Sequence, residues 1–523
     1  MTDRVRFHID GLDAVLKGGV VRQNNVLLEG PAGSGKTTLA LAFLYAGAME
    51  SQEPGLLISF EMTPEKLLRD ARGFGWDFES LAQRGLVKLI ETTPAVLLND
   101  VRVEDGVLAQ ELRALGAKRL VIDGLTPLRL AGEQVPSRSY RQSLHQLVES
   151  LSRLGITTLV TGESDGASGA QLVHERYLFD TVIALDRASE RASHRTLEVV
   201  KARGQDYVAG RHTLRLESER GVVVYQRAAS RHARPPKRMS QELQSFGSPA
   251  IDELFGGGLY GDSITMISGI AGTGKTVAGL QFLTAGAELG QTGLLVSVDE
   301  PPAQLCRNVE TLGLPITKLL EEQRLVMLYD SPLELELDVH FDRIVGLIEK
   351  HDIKRAVFDS LALYERVQPE EVTGFLYALT AYCKARGVLV VFNYESPELL
   401  GVSQISETLS GSQLVDNIVL LSYVEVSTIL RRAIAVPKVR GRNNLQVTRE
   451  YVIDRGGLHI LPEPEAKDAD PVPQLPFSRY YGLLARAPAR RSPAIEEAIA
   501  AGEPLPASSA PKPARSGRGA GEA

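Results

Sequence analysis

Two segments carry the residue types and spacing of a phosphate cradle. One runs Gly30-Pro31-Ala32-Gly33-Ser34-Gly35-Lys36-Thr37-Thr38, the other Gly269-Ile270-Ala271-Gly272-Thr273-Gly274-Lys275-Thr276-Val277. Both fit GxxxxGK[ST]. In such a segment the glycines let the backbone wrap a phosphate with its N–H groups pointing inward. The lysine reaches the terminal phosphates, and the threonine hydroxyl ligates Mg²⁺. A helix that opens on the loop adds partial positive charge. Each segment follows a short β-branched run and precedes a helical stretch, which is the context this chemistry requires. Nucleotide binding is therefore expected at both, with ATP and Mg²⁺ as cofactors.

The metal needs a carboxylate at the end of an apolar strand. Asp123 in RLVIDGL and Asp359 in RAVFDSL fit, and with Thr37 and Thr276 they are the expected metal ligands. Hydrolysis further needs a group that orients or deprotonates the attacking water. The strand after each cradle helix ends on acids: Glu61 in Ser59-Phe60-Glu61-Met62, and Asp299 with Glu300 in Ser297-Val298-Asp299-Glu300. These three are the expected catalytic acids. The second segment has two adjacent acids, whereas the first has one, followed by Met62.

The elements that must position these residues occur twice. The cradles lie 239 residues apart, and the segments around them recur in the same order: GLLISF and GLLVSV, KRLVIDGL and KRAVFDSL, VVKARG and VPKVRG. A period this long means two whole domains, not a solenoid. The short apolar runs (NVLLEG, TTLVTG, TVIAL; SITMISG, VLVVFN, IVLLSY) suit strands buried on both faces, and helical stretches separate most of them. The expected fold is α/β, with two tandem domains built on twisted, mainly parallel sheets. The expected boundaries are 1–228 for the first domain, 229–240 for a basic, Pro-containing linker and 241–461 for the second domain. Residues 462–523 hold 11 of the chain's 27 prolines and are expected to be a disordered tail.

Composition narrows the rest. The 523 residues are 43% hydrophobic and 24% charged, with a formal net charge of −7. A mildly acidic balance gives no overall reason to bind nucleic acid or an anionic membrane. No run approaches the ~18 apolar residues of a membrane span. Two cysteines, Cys306 and Cys383, build neither a disulfide framework nor a CxxC site. The expected setting is a reducing cytoplasm.

The order of cradle, acidic strand end, strand aspartate and KxRG segment, twice in one chain, resembles the KaiC-like double-domain ATPases and autokinases of the RecA type. ARGFGWDFESL and LSYVEV add to the likeness, which covers about residues 7 to 460. It implies RecA-like domains, a homohexameric ring in two tiers, and ATP held between neighbouring subunits. It also implies that Lys201, Arg203, Lys438 and Arg440 reach the nucleotide of the adjacent subunit. Two cations two apart on a strand point the same way and can neutralise a transferring phosphoryl group. The resemblance further implies serine/threonine autokinase activity in the second domain, on Ser412 or a neighbour such as Ser410. Gln413 replaces the family's threonine, so a two-residue phosphorylation cycle is not expected. Protein signalling partners are expected, of no particular identity. A DNA-dependent ATPase of the recombinase or helicase kind is the alternative, but SDGASGAQLVHERYLFD is short and balanced in charge for a DNA loop. A nucleotide-gated scaffold without phosphotransfer is a second alternative, which Met62 favours for the first domain.

Overall fold

The computed structural model describes residues 3–100, 103, 105–133, 140–164, 173–187, 195–218, 220–231, 240–395, 414–426 and 429–462. Ser410, Ser412, Gln413, most of the 229–240 linker and nearly all of the Pro-rich C-terminal segment lie outside the described residues.

In the first unit Arg4–Val5 (β1) and Val20–Val21 (β2) form a small antiparallel pair. The main strands are Asn25–Gly30 (β3), Gly55–Ser59 (β4), Val87–Glu91 (β5), Arg119–Asp123 (β6), Thr157–Glu163 (β7), Thr181–Arg187 (β8), Arg195–Ala202 (β9), Arg211–Glu217 (β10) and Gly221–Tyr225 (β11). They pair in the order β11-β10-β9-β8-β3-β7-β6-β4-β5. From β8 to β5 the pairing is parallel, and β9, β10 and β11 are added antiparallel.

The second unit repeats this plan. Leu243–Gln244 (β12) and Leu259–Tyr260 (β13) form the small pair. The nine main strands are Ile264–Gly269 (β14), Gly293–Ser297 (β15), Leu325–Tyr329 (β16), Arg355–Asp359 (β17), Leu389–Glu395 (β18), Asn417–Val426 (β19), Ile429–Val439 (β20), Thr448–Asp454 (β21) and Gly457–Ile460 (β22). Their order, β16-β15-β17-β18-β14-β19-β20-β21-β22, is the first order strand for strand. The chain thus forms the two tandem RecA-like α/β domains that its repeats imply.

Burial explains the pattern of the runs. All six residues of β3 and of β14 are buried. A parallel sheet covered by helices on both faces demands such continuous apolar runs. The cradle helices Lys36–Glu50 and Lys275–Glu288 are apolar on nearly every side because they too are enclosed. One arginine in each unit ties this helix to the aspartate strand. Arg119 and Arg355 are each 1% exposed, at the start of β6 and β17. Arg119 donates to the carbonyl of Phe43 at 2.8 Å and stacks over its ring. Arg355 does the same with Phe282, at 2.9 Å. Gly47 and Gly286 are required here, because a Cβ at either would run into the guanidinium.

Among the described residues, the units touch along the helix Leu337–His351 with its N-cap Glu336, and along the helix Pro369–Arg386. Arg215 on β10 donates to Glu336 at 2.7 Å, and Thr213 to Asp338 at 3.0 Å. Asp338 also accepts from the Ala228 N–H at 2.8 Å, and Arg231 pairs with Asp342. The short turn Ala228–Ser230 lies on the helix Pro369–Arg386, where Gly374 leaves room for Ala229.

Candidate nucleotide sites

Both cradles lie at the C-terminal end of the central strand of the nine, β3 and β14, which has a parallel neighbour on each side. Ligands of open α/β sheets bind beyond these strand ends. Gly35 and Gly274 cap the cradle helices with φ of 102° and 95°, a conformation strained for any other residue. Lys36 Nζ lies back on its own loop and donates to the carbonyls of Gly30 and Pro31, both at 2.9 Å. Lys275 Nζ does likewise to Gly269 at 2.8 Å and Ile270 at 3.0 Å. Burial pushes both ammonium groups below their usual range. The carboxylates of Glu163 and then Asp123 oppose this for Lys36, and those of Glu395 and then Asp359 for Lys275.

The hydroxyl–carboxylate pairs are formed. Thr37 Oγ1 lies 3.1 Å from Asp123 Oδ2, and Thr276 Oγ1 lies 2.6 Å from Asp359 Oδ2. Thr161, one strand over, donates to Asp123 Oδ1 at 2.6 Å. Burial pushes the Asp359 carboxyl up, against the Thr276 hydrogen bond and the charge of Lys275. A hydroxyl and a carboxylate beside a phosphate cradle fit Mg²⁺, which takes few protein oxygens and completes its shell with phosphate and water.

The acidic strand ends form the same turn in both units. The Ser59 hydroxyl accepts the Met62 N–H at 3.2 Å, and the Ser297 hydroxyl accepts the Glu300 N–H at 3.2 Å. Met62 and Glu300 thus occupy one seat, and Glu61 and Asp299 the other. Met62 packs against the first unit's core. Glu300 is held by Asn308 Nδ2 at 3.3 Å, from the helix Pro302–Glu310. Asp299 is exposed, and its charge acts on Asp359.

The KxRG cations lie elsewhere. Lys201 on β9 is in register with Val182 on β8, which pairs with Leu27, three residues before Gly30. At about 3.3 Å per residue and 4.8 Å per strand, its Cα is roughly 14 Å from Gly30. Its ammonium points further from the cradle, to the carbonyls of Arg176 at 3.0 Å and Phe179 at 2.6 Å. Arg203 donates to Tyr177 at 3.1 Å. In the second unit Lys438 donates to the Val415 carbonyl at 2.9 Å, and Arg440 lies 3.4 Å from Asp416. All four cations thus face the end of the sheet opposite their own cradle.

Other residues join the sites without belonging to any motif. Parallel register sets Glu163 beside Gly30, and Glu395 beside Gly269. Tyr423 and Tyr451 donate to the loop carbonyls of Gly272 at 2.8 Å and Thr273 at 2.5 Å. In the first unit Arg187 approaches Gly33, and Arg195 donates to the Gly33 carbonyl at 3.3 Å. No short motif marks the two glutamates: it is the sheet order that sets both at the end of the strand beside the cradle strand.

A family model for the KaiC ATPase matches the chain twice, over residues 5–229 and 245–465. The circadian clock oscillator protein KaiC of Picosynechococcus sp. is 30% identical over 497 residues, covering 93% of this chain and 92% of that protein. The protein of the same name from Thermostichus vulcanus is 30% identical over 495 residues, covering 92% and 91%. That from Synechococcus elongatus is 29% identical over 502 residues, covering 93% and 92%. With both cradles formed on the same strand order and both halves matched, the chain belongs to the KaiC family of ATPases.

Proposed function

We propose that this KaiC-family ATPase works as a ring, by family likeness a hexamer, in which each MgATP lies on the cradle of one subunit and meets the KxRG cations of the next. The observation that carries this reading is the placement of Lys201, Arg203, Lys438 and Arg440. They face away from their own cradle, so a single chain cannot bring them to its own phosphates. A heterologous contact that repeats by rotation closes a ring and sets one subunit's cradle against the next subunit's cations.

Within each site the lysine leaves the loop carbonyls for the terminal phosphates. Thr37 with Asp123, and Thr276 with Asp359, would hold Mg²⁺, which would supply charge neutralisation for the transferring phosphoryl group. Glu61 and Asp299 orient the attacking water. Asp299 is favoured over Glu300 because its side chain is exposed and free of the turn, while Glu300 is engaged by Asn308.

Phosphoryl transfer to protein is assigned to the second unit, on Ser412 or Ser410. There the γ-phosphorus–oxygen bond to ADP breaks as the serine Oγ–phosphorus bond forms, and the hydroxyl proton passes to the acid. Because Gln413 follows Ser412, one modified residue is expected and no two-residue cycle. Light scattering at saturating MgATP should show a ring, and monomer alone would contradict it. Phosphopeptide mapping of wild type and Ser412→Ala tests the transfer. Unchanged incorporation in the variant would overturn the site, and none in wild type would leave an ATPase alone.

A further inference from the structure

The charges of two carboxylates act on each cradle lysine against its burial, Glu163 and Asp123 on Lys36 and Glu395 and Asp359 on Lys275, and the hydrolytic scheme uses only the aspartate. The other, Glu163 or Glu395, ends the strand between the cradle strand and the aspartate strand. Its register partner is the first glycine of the cradle, Gly30 or Gly269. Adjacent strands lie about 4.8 Å apart, so each glutamate is the cradle's immediate neighbour. In the first unit the link continues: the Ser164 N–H, one residue beyond Glu163, donates to the Gly30 carbonyl at 3.1 Å. That carbonyl also accepts from Lys36 Nζ. Strand end, glycine and lysine are thus joined at one oxygen atom.

Both glutamates are exposed at the sheet's C-terminal edge, on the side that receives phosphate. Both recur at the same place in the two units. A carboxylate at this point does two things. With phosphates absent, it offsets the charge of the half-buried or buried lysine. With phosphates present, the lysine is drawn to them, and the glutamate is left facing groups of its own sign.

We infer that Glu163 and Glu395 are release carboxylates: each steadies its lysine in the empty cradle and weakens the hold on bound nucleotide, so that ADP departs. They touch the lysine's field and not the reacting atoms, and are positioning residues. This rests on the reading of the cradles as nucleotide sites.

The sign of the effect makes the test specific. Full-length Glu163→Gln is studied on a Lys275→Ala background, and Glu395→Gln on Lys36→Ala, so that one site is followed at a time. The probe is a fluorescent ADP, with and without Mg²⁺, at low and high salt. Each glutamine variant should bind the probe about three- to tenfold more tightly than its parent, with slower release. The gain should shrink at high salt. A misfolded variant would lose affinity, so a gain cannot arise from damage, and Glu163→Asp should stay near the parent. Unchanged affinity overturns the inference. Weaker binding with Mg²⁺ alone would make the glutamate a metal ligand and also overturn it. If the parent backgrounds bind no probe, the cradle reading itself fails, a result distinct from either.

Discussion

The two units of this chain are a natural experiment in what a phosphate cradle must keep. Both preserve the nine-strand order, the lysine on its own loop carbonyls, the threonine–aspartate pair, the strand-end glutamate and the buried arginine. They differ around that frame. The first unit has Arg187 and Arg195 at the loop where the second has Tyr423 and Tyr451. Arg119 meets Glu53 at 2.8 Å, while the matching Arg355 meets Gln291 at 2.7 Å. Glu29, buried behind the first cradle, accepts from Arg176 at 3.1 Å, and Ser268 holds its place in the second unit. The second unit adds a buried polar chain: Asp330 lies 2.5 Å from His340 Nδ1, and Tyr364 lies 2.8 Å from Nε2. Groups that would touch phosphate or metal are fixed, while those that set the tone of the site are free to vary.

The largest expected effects break the part held in common. Lys36→Ala and Lys275→Ala should each cost at least about 10²-fold in turnover at their own site, and should spare binding at the other. Loss of nucleotide at both sites from either change would mean the units are not separable.

Next come the acids, where the units differ. Asp299→Asn should lower hydrolysis in the second unit by about 10²–10⁴-fold with ATP binding intact, since a base acts in the transition state. Met62→Glu should change first-unit turnover less than about twofold, because its seat is that of Glu300 and not of Asp299. A large rise in Met62→Glu would reverse the two seats.

Exchanging the arginine partners sharpens the comparison by stability. Gln291→Glu gives Arg355 a counter-charge. Burial now pulls that guanidinium down to about 10. The change should stabilise the second unit by about 1–3 kcal/mol, and Glu53→Gln should destabilise the first by a similar amount. Calorimetry follows the second unit. The single tryptophan, Trp76, reports on the first.

The smallest effect is in pH. Burial holds the His340 imidazole below its usual range, against its hydrogen bond to Asp330. In acid the unfolded chain therefore binds its proton first. The stability from neutral His340 is complete above about pH 6.5 and is lost as pH falls toward the lower folded value. His212 in the first unit is shifted the same way, again mainly by burial. His340→Gln should therefore flatten the acid slope of the second unit's unfolding and leave that of the first unchanged. Equal flattening in both units would count against this assignment.

How much of this was legible in the sequence depended on whether the signal was local. The cradles, Asp123, Asp359 and the acidic strand ends are short motifs with fixed spacing, and the alternation of apolar runs and helical stretches carried the fold. Glu163 and Glu395 were not legible, because a strand-end glutamate gains meaning only from the register that sets it beside Gly30 or Gly269. Arg119 and Arg355 stand in the recurring KRLVIDGL and KRAVFDSL, yet nothing local says that they turn inward against a helix glycine. The different surroundings of Met62 and Glu300 needed the turn itself, with Met62 against the core and Glu300 on Asn308. The contact of Asp338 with Thr213 and Ala228 joins residues more than a hundred positions apart.

The central claim is that a site is completed by the neighbouring subunit, and mixing tests it most directly. Two chains are prepared on a Lys36→Ala background that silences the first site, one carrying Lys275→Ala and the other Arg440→Ala. Neither should hydrolyse ATP alone. In an equal mixture that reassembles at random, about one interface in four joins an intact cradle to intact cations, so about a quarter of the parent's activity should return. A mixture no more active than its two components would show that each chain completes its own site, and would contradict the account.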